Sequence, residues 1–365
     1  ADEGFDEAFG ARPLARALQK LIEDPLAEKI ISKEITEVDT FEQGIKCLRD
    51  ASGAEYHADL YIDCSGFKSL LLGKTLGVRY IDESENLPCN RAVAIPTQYT
   101  NPQEECHPYT KATTMKNGWR WTIPTYDRIG NGYVYSDAYC SKEDAEAELR
   151  EAIGEFDAPA NHLEMRIGTH EGIAHDNVVA IGLSAGFVEP LEASSIGSTI
   201  QQTFLLLGSL AYYRKDSSSA LVKTFNDRMN KVATNIIDFI QIHYVTKRND
   251  TEFWKWCNQN IELTDFNKDT LDTFKKAFVS PSYFSEHQLI FSFFNWLQVM
   301  HGLHMFDYDS VKSFWEKNFA SIHNEQVTRV IHEGTNTRSD EGKIYTHREA
   351  LNVLKERYLE TTINL

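Results

Sequence analysis

Val178-Val179-Ala180-Ile181-Gly182-Leu183-Ser184-Ala185-Gly186-Phe187-Val188-Glu189-Pro190-Leu191-Glu192-Ala193-Ser194-Ser195-Ile196 is the stretch on which the fold turns. Its opening residues are apolar and β-prone, which predicts a buried strand over 178–182. Small residues follow, and apolar residues at helical spacing then run through Leu210, so a long helix is expected there. A strand that feeds a Gly- and Ser-rich loop into a helix N-terminus is an α/β arrangement. The first N–H groups of that helix lack intrahelical acceptors, and with the dipole they suit an anion or the polar edge of a bound ring. Glu192 stands just before those donors, where a carboxylate is either a capping residue or an acid/base group.

Upstream, Ala58-Asp59-Leu60-Tyr61-Ile62-Asp63 reads as a strand ending at Cys64-Ser65-Gly66, with a helix expected over 67–72. A small-residue turn after a buried strand lets backbone approach a bulky ligand, as at the edge of a nucleotide-binding layer, although a simple tight turn reads the same way. Strands are expected at 35–38 and 44–48, and apolar spacing from Leu14 to Ile30 predicts a helix over 13–33. Residues 1–10 read as a frayed end. Between 92 and 139, β-branched and aromatic runs alternate with turn signals at Lys116-Asn117-Gly118 and Ile129-Gly130-Asn131-Gly132, which predicts an antiparallel sheet. A helix over 142–153 and a strand over 165–168 follow. The fold class is therefore mixed α/β, or α+β, with residues 1–215 as the α/β core. Residues 216–365 form a helical, aromatic-rich region packed on it.

Composition narrows the partners. The 365 residues carry 37 Lys and Arg against 54 Asp and Glu, a net charge of −17 that repels nucleic acid and anionic membranes. No run approaches the ~18 apolar residues of a membrane span. The six cysteines are scattered singly, without a CxxC pair, which fits a reducing cytoplasmic setting and no metal site. Self-association is left open by the sequence.

Gly118-Trp119-Arg120-Trp121-Thr122-Ile123-Pro124 puts two tryptophans on one face of an expected strand, where they fill a core or line an apolar groove. With the 58–66 segment upstream and Gly182-Leu183-Ser184 through Glu189-Pro190-Leu191-Glu192 downstream, this WxWxIP motif resembles the flavin-dependent tryptophan halogenases. Gln241-Ile242-His243-Tyr244 and Asp250-Thr251-Glu252-Phe253-Trp254 are similar to that family's C-terminal helical region. The resemblance runs from about residue 12 to about residue 310, and several motifs in order are more specific than any one. Two departures stand out. No GxGxxG follows an N-terminal strand, and none of Lys20, Lys29, Lys33, Lys46, Lys68 or Lys74 matches the family's catalytic lysine. Both are expected to belong to sequence N-terminal to Ala1. Ala193-Ser194-Ser195 also replaces the family's Ser-Thr-Gly.

The resemblance implies a Rossmann-like FAD-binding layer of the flavin monooxygenase type, with FAD against Gly66, Gly182, Ser184 and Ile196. It implies that FADH2 from a separate, transiently acting flavin reductase, together with O2 and chloride, bromide or iodide, yields hypohalous acid. That oxidant then halogenates a small electron-rich aromatic of the indole or tryptophan type. Ser194 and Ser195 would hold the halide through backbone N–H groups, and Glu192 would serve as the acid/base residue. Trp119, Trp121 and Pro124 would line the passage to the substrate, while Glu286, Phe291, Phe294 and Trp296 would hold the substrate ring and amine. The alternatives are a flavin-dependent aromatic monooxygenase and a non-catalytic binding module on a flavoprotein scaffold.

Overall fold

The computed structural model describes residues 35–42, 44–210, 218–276 and 290–309, with short pieces at 312–313, 316–317, 346–349, 351–352 and 354–355. The expected helix over 13–33 lies outside the described residues. The chain divides into two compact units, Ala1–Glu83 with Arg166–Ile236, and Ser84–Met165 with Ile237–Leu365.

The first unit is built around a parallel strand pair. Tyr61–Asp63 pairs with Val178–Ala180, with Asp63 opposite Ala180, so both strands end at the same sheet edge. Ala174–His175 completes this sheet on the other side of Val178–Ala180. Val178 and Ala180 are fully buried, as expected of a strand covered on both faces. A second sheet joins Ile35–Phe41, Gly44–Asp50 and Glu55–Tyr56 antiparallel. The side chain of Asn177 acts as one more rung at its margin: its Oδ1 accepts from the Ile45 N–H and its Nδ2 donates to the Ile45 carbonyl, both at 2.8 Å. Gly44 is required beside it, since a Cβ there would meet Asn177 Oδ1 at 2.1 Å. A third small sheet orders Gly186–Phe187, Gly168–His170 and Tyr80–Asp82.

The helix expected over 67–72 is replaced by two separate turns, a 3-10 turn at Gly66–Lys68 and a π-helical turn at Leu70–Thr75, with Ser69 left-handed between them. The cause is Asp63. Its Oδ1 accepts from the N–H and hydroxyl of Ser65, and its Oδ2 from the N–H groups of Leu71 and Leu72 at 2.8 and 2.9 Å. A buried carboxylate that gathers donors eight and nine residues ahead holds them away from the register of a continuous helix.

The second unit centres on a five-stranded antiparallel sheet in the order Asn161–Glu164, Arg91–Thr97, Ile129–Tyr135, Gly118–Pro124, Lys111–Met115. Lys116 and Asn117 form the two-residue hairpin expected from Lys-Asn-Gly, with Met115 paired to Gly118. The signal at Ile129-Gly130-Asn131-Gly132 is different: these residues are strand, and the chain turns at 125–128, where the Thr125 N–H donates to the Arg128 carbonyl. The helix Lys142–Ile153 packs its buried Ala145 and Leu149 against Val93, Ile95, Tyr133 and Tyr135 of this sheet. Ser141 caps its start by accepting from the Asp144 N–H, and left-handed Gly154 ends it. The helices Glu252–Asn260, Asp265–Lys276 and Phe293–Gly302 belong to the same unit. The long helix Ser218–Tyr244 contributes its residues through Ile236 to the first unit and the rest to the second. No helix among the described residues is long and apolar enough to cross a membrane.

Candidate functional site

The site is built at the shared C-terminal edge of the parallel pair. Each strand runs into a glycine turn, and both glycines are left-handed, Gly66 at φ +68° and Gly182 at φ +67°. L-residues with a Cβ resist this conformation, which explains glycine at both corners. The two turns are tied together: the Ser69 hydroxyl donates to the Ser184 carbonyl at 2.9 Å, and the Ile181 N–H donates to the Asp63 carbonyl at 3.0 Å. Nothing lies within 4 Å of the position a Gly66 Cβ would take, so that corner presents bare backbone.

Beyond Gly182 the chain passes through Glu189 and Pro190 into the helix Ser194–Leu210. A cavity of about 400 Å3 opens against the start of this helix. Four sequence-chosen residues line it, Gly182, Ser194, Ser195 and Ile196, while Ser184, Gly66 and Glu192 lie outside its lining. Phe187, Val188, Ile173 and Ile236 give it mostly apolar walls. Such a volume and lining suit a flat ring held by few polar groups.

Two polar atoms of the lining residues are buried without a hydrogen-bond partner, Ser194 Oγ and His170 Nε2. His170 is only 2% exposed, and its Nδ1 lies 2.9 Å from the Val78 carbonyl. A carbonyl only accepts, so Nδ1 carries the proton and Nε2 is left as a lone-pair acceptor. Burial pushes the imidazole pKa down, which keeps the ring neutral. Both atoms are buried away from the cavity surface, so the fit to the ring portion of a dinucleotide cofactor rests on the apolar walls and the backbone around Gly182, Ser194 and Ser195. Nothing in the pattern around Thr169-His170-Glu171 marked His170 in advance; the pairing of Gly168–His170 with Gly186–Phe187, and the His170 N–H on the Ala185 carbonyl, bring it to the cavity lining.

The two loop carboxylates are placed very differently. Glu189 is fully buried, whereas Glu192 is exposed. Glu192 and Ala193 are both left-handed, at φ +66° and +50°, two consecutive non-glycine residues in a conformation that L-residues avoid. Backbone strain of this kind persists where the surroundings over-determine it, and it clusters at functional sites.

In the second unit, Trp119 is buried and Trp121 half-buried on the strand Gly118–Pro124, with ring centroids 6.1 Å apart, and Pro124 closes the strand. Phe291 and Trp296 belong to an aromatic core: Phe291 stacks on Phe239 at 4.1 Å, and fully buried Trp296 meets Phe239 and Phe266 edge-on. Phe294 is 66% exposed. Glu286 lies outside the described residues.

Paired parallel strands, glycine corners at one edge and a helix starting on an apolar cavity are the architecture of flavin-binding α/β proteins. Residues 8–314 match the tryptophan halogenase family, and the chain belongs to that family. It is 37% identical over 256 residues to tryptophan 6-halogenase SttH of Streptomyces toxytricini, covering 68% of this chain and 47% of that one. It is 34% identical over 271 residues to tryptophan 6-halogenase ThaL of Streptomyces albogriseolus, covering 73% and 50%. The structure of Xcc4156, a flavin-dependent halogenase from Xanthomonas campestris, superposes with a TM-score of 0.73 at 26% identity, covering 94% of this chain and 67% of that one. The chain thus shares the flavin-dependent halogenase fold, and it spans about half the length of the curated relatives it matches.

Proposed function

We propose that this chain acts as an FADH2-dependent halogenase that uses O2 and a halide on an electron-rich aromatic of the tryptophan or indole type. The observation that carries the reading is the apolar cavity at the N-terminus of the helix Ser194–Leu210, in a chain of this family. When bound in reduced form, FAD would supply the activation of O2 that oxidises the halide. The chain's own residues do the rest. Gly66 and Gly182 let backbone approach the cofactor, Ile196 packs on it, and Ser184 holds the Ser69 hydroxyl that joins the two turns.

The Ser194 and Ser195 N–H groups, at the first turn of a 17-residue helix, are placed to hold a halide without a full counter-charge. Glu192 is the acid/base group, because an exposed carboxylate can reach a reacting substrate and fully buried Glu189 cannot. Trp119, Trp121 and Pro124 line the substrate's path, and exposed Phe294 is the aromatic residue available to the substrate ring. Reduced flavin comes from a separate reductase that acts by diffusion, and a reducing, cytoplasmic setting is the reading that the scattered cysteines support.

The test is to supply purified protein with FAD, a flavin reductase, NADH, O2, bromide or chloride and tryptophan, and to read products by mass spectrometry. A halogenated indole is expected, absent when halide is omitted. Hydroxylated product without halogen overturns the reading in favour of a monooxygenase, and failure to take up stoichiometric FAD favours a non-catalytic module.

A further inference from the structure

One face of the sheet formed by Ile35–Phe41, Gly44–Asp50 and Glu55–Tyr56 gathers chemistry that the halogenase reading does not use. Cross-strand pairing sets Asp39 opposite Cys47 and Arg49 opposite Glu55, and His57 follows directly on the third strand. A sulfur of Cys47, an oxygen of Glu55 and a ring nitrogen of His57 lie within 4.8 Å of one another. Cys47 is buried, whereas Glu55 and His57 are open to solvent, so an ion has an entry path and a protected ligand at its base.

The hydrogen bonds around the cluster orient it as the outer partners of a metal site do. His57 Nδ1 lies 3.3 Å from the Lys46 carbonyl, which only accepts, so Nδ1 carries the proton. The opposite nitrogen, Nε2, then turns a lone pair toward Glu55 Oε2 at 3.0 Å. Two acceptors at that distance repel unless a cation stands between them, and that cation is either a proton or a metal ion. The other oxygen of Glu55, Oε1, is held at 2.7 Å by Arg49, which also grips Asp39 at 3.0 Å and Glu37. The carboxylate is therefore aimed by the guanidinium with Oε2 left toward the histidine and cysteine. Asp39 Oδ2 receives the Cys47 thiol at 3.5 Å. Three carboxylates outweigh the one guanidinium, so the field at the centre draws a divalent cation, while burial and the neighbouring Asp39 push the Cys47 thiol pKa up and leave the thiol protonated until an ion binds.

We propose that Cys47, Glu55 and His57 form a binding site for a zinc-type divalent cation, separate from the flavin and halide cavity. One sulfur, one imidazole nitrogen and one carboxylate oxygen are the donor mix that zinc takes in tetrahedral sites, with water as the fourth ligand. Binding forms a bond from the ion to each of the three side chains and releases two protons to solvent, that of the Cys47 thiol and the one held between His57 and Glu55. No change of oxidation state is involved. Scattered singles in the sequence concealed the site, because strand pairing rather than spacing assembles it.

The probe is Co(II), added to chelator-treated, reduced protein. The expected result is one equivalent bound with a thiolate-to-cobalt charge-transfer band in the near ultraviolet, lost when Zn(II) is added. Cys47→Ser abolishes the band. His57→Ala weakens binding by more than the roughly 10–100-fold that loss of an outer-shell partner costs. The His57 side chain is 57% exposed, so this variant keeps the fold even where Cys47→Ser does not. Replacing the exposed Cys64 by Ser leaves the band intact. Absence of the band, its loss in Cys64→Ser with retention in Cys47→Ser, or unchanged affinity in His57→Ala each overturns the proposal and leaves a proton between His57 and Glu55. None of these readouts depends on flavin or halogenation.

Discussion

Trp121 stands over Gly132: the two residues face one another across paired strands, and a Cβ on Gly132 would lie 1.9 Å from Cζ2 of the indole. The glycine is therefore the floor on which the second tryptophan of the WxWxIP motif rests. The Trp119 and Trp121 rings tilt toward each other at 57°, so moving one disturbs the other.

Gly132→Ala should push the Trp121 indole from its place. Overpacking of this kind costs about 1–3 kcal/mol, and the loss should appear in chemical denaturation followed by tryptophan fluorescence. Adding Trp121→Ala to Gly132→Ala should recover part of it, since the clash then has no second member. Additive losses in the double variant would remove the pairing from the account.

The left-handed backbone at Ala193 makes a second prediction. An L-residue there carries roughly 1–2 kcal/mol of strain that glycine does not, while glycine adds about 0.4–1 kcal/mol of unfolded-chain entropy. Ala193→Gly should thus stabilise the protein by about 1 kcal/mol or less. A lower melting temperature in this variant would show that the loop does not hold that strain.

Much of the fold was legible because local chemistry and tertiary structure agree. The helix at 142–153 announces itself through Ser141, Gly154 and apolar residues four apart, and Lys116-Asn117-Gly118 marks its hairpin. Where they part, a distant side chain decides. Glycines at 130 and 132 look like a turn until the Trp121 indole is seen above one of them, and Phe67 to Leu72 looks helical until Asp63 captures the N–H groups of Leu71 and Leu72. That Gly182, Ser194, Ser195 and Ile196 gather at one cavity was readable because strand, loop and helix are contiguous in sequence. His170 was not, since it reaches the cavity through strand pairing with Gly186–Phe187 of that loop and not through proximity in sequence. Nor does any residue type reveal that Glu192 is left-handed.

Asp238 offers a pH prediction within the second unit. It is fully buried, with Oδ1 accepting from the Thr264 hydroxyl at 2.7 Å and Oδ2 unpartnered, and burial pushes its pKa from 3.8 up to about 6. The folded state therefore binds the proton more tightly than the unfolded chain. Stability contributed by this group is full below about pH 4, falls as pH rises, and is gone above about pH 6. A displacement of roughly two units corresponds to about 3 kcal/mol. Asp238→Asn keeps an acceptor for Thr264 and carries no charge, so it should match the parent near pH 4 and exceed it in stability above pH 6. A stability difference that is flat across this range would rule out the titration.

The last prediction concerns the loop carboxylates, Glu189 and Glu192. Three residues apart, they have opposite environments, Glu189 fully buried and Glu192 exposed on strained backbone beside the helix start that lines the cavity. Glu192→Gln keeps shape and most hydrogen bonding but removes the charge that the proposed acid/base role requires. Halogenation should fall about ten- to a thousandfold, the span typical of losing one acid–base or transition-state contact. Melting temperature and flavin occupancy should change little, because an exposed carboxylate contributes little to packing. Glu189→Gln should behave in the opposite way, altering stability through its buried environment while leaving turnover per folded molecule closer to the parent. If Glu192 serves only as a helix-capping group, its replacement instead costs roughly 0.5–2 kcal/mol of stability and leaves turnover intact. Measuring melting temperature, flavin occupancy and halogenation rate on both variants separates the two roles, and near-normal turnover by Glu192→Gln ends the assignment of Glu192 as the acid/base group.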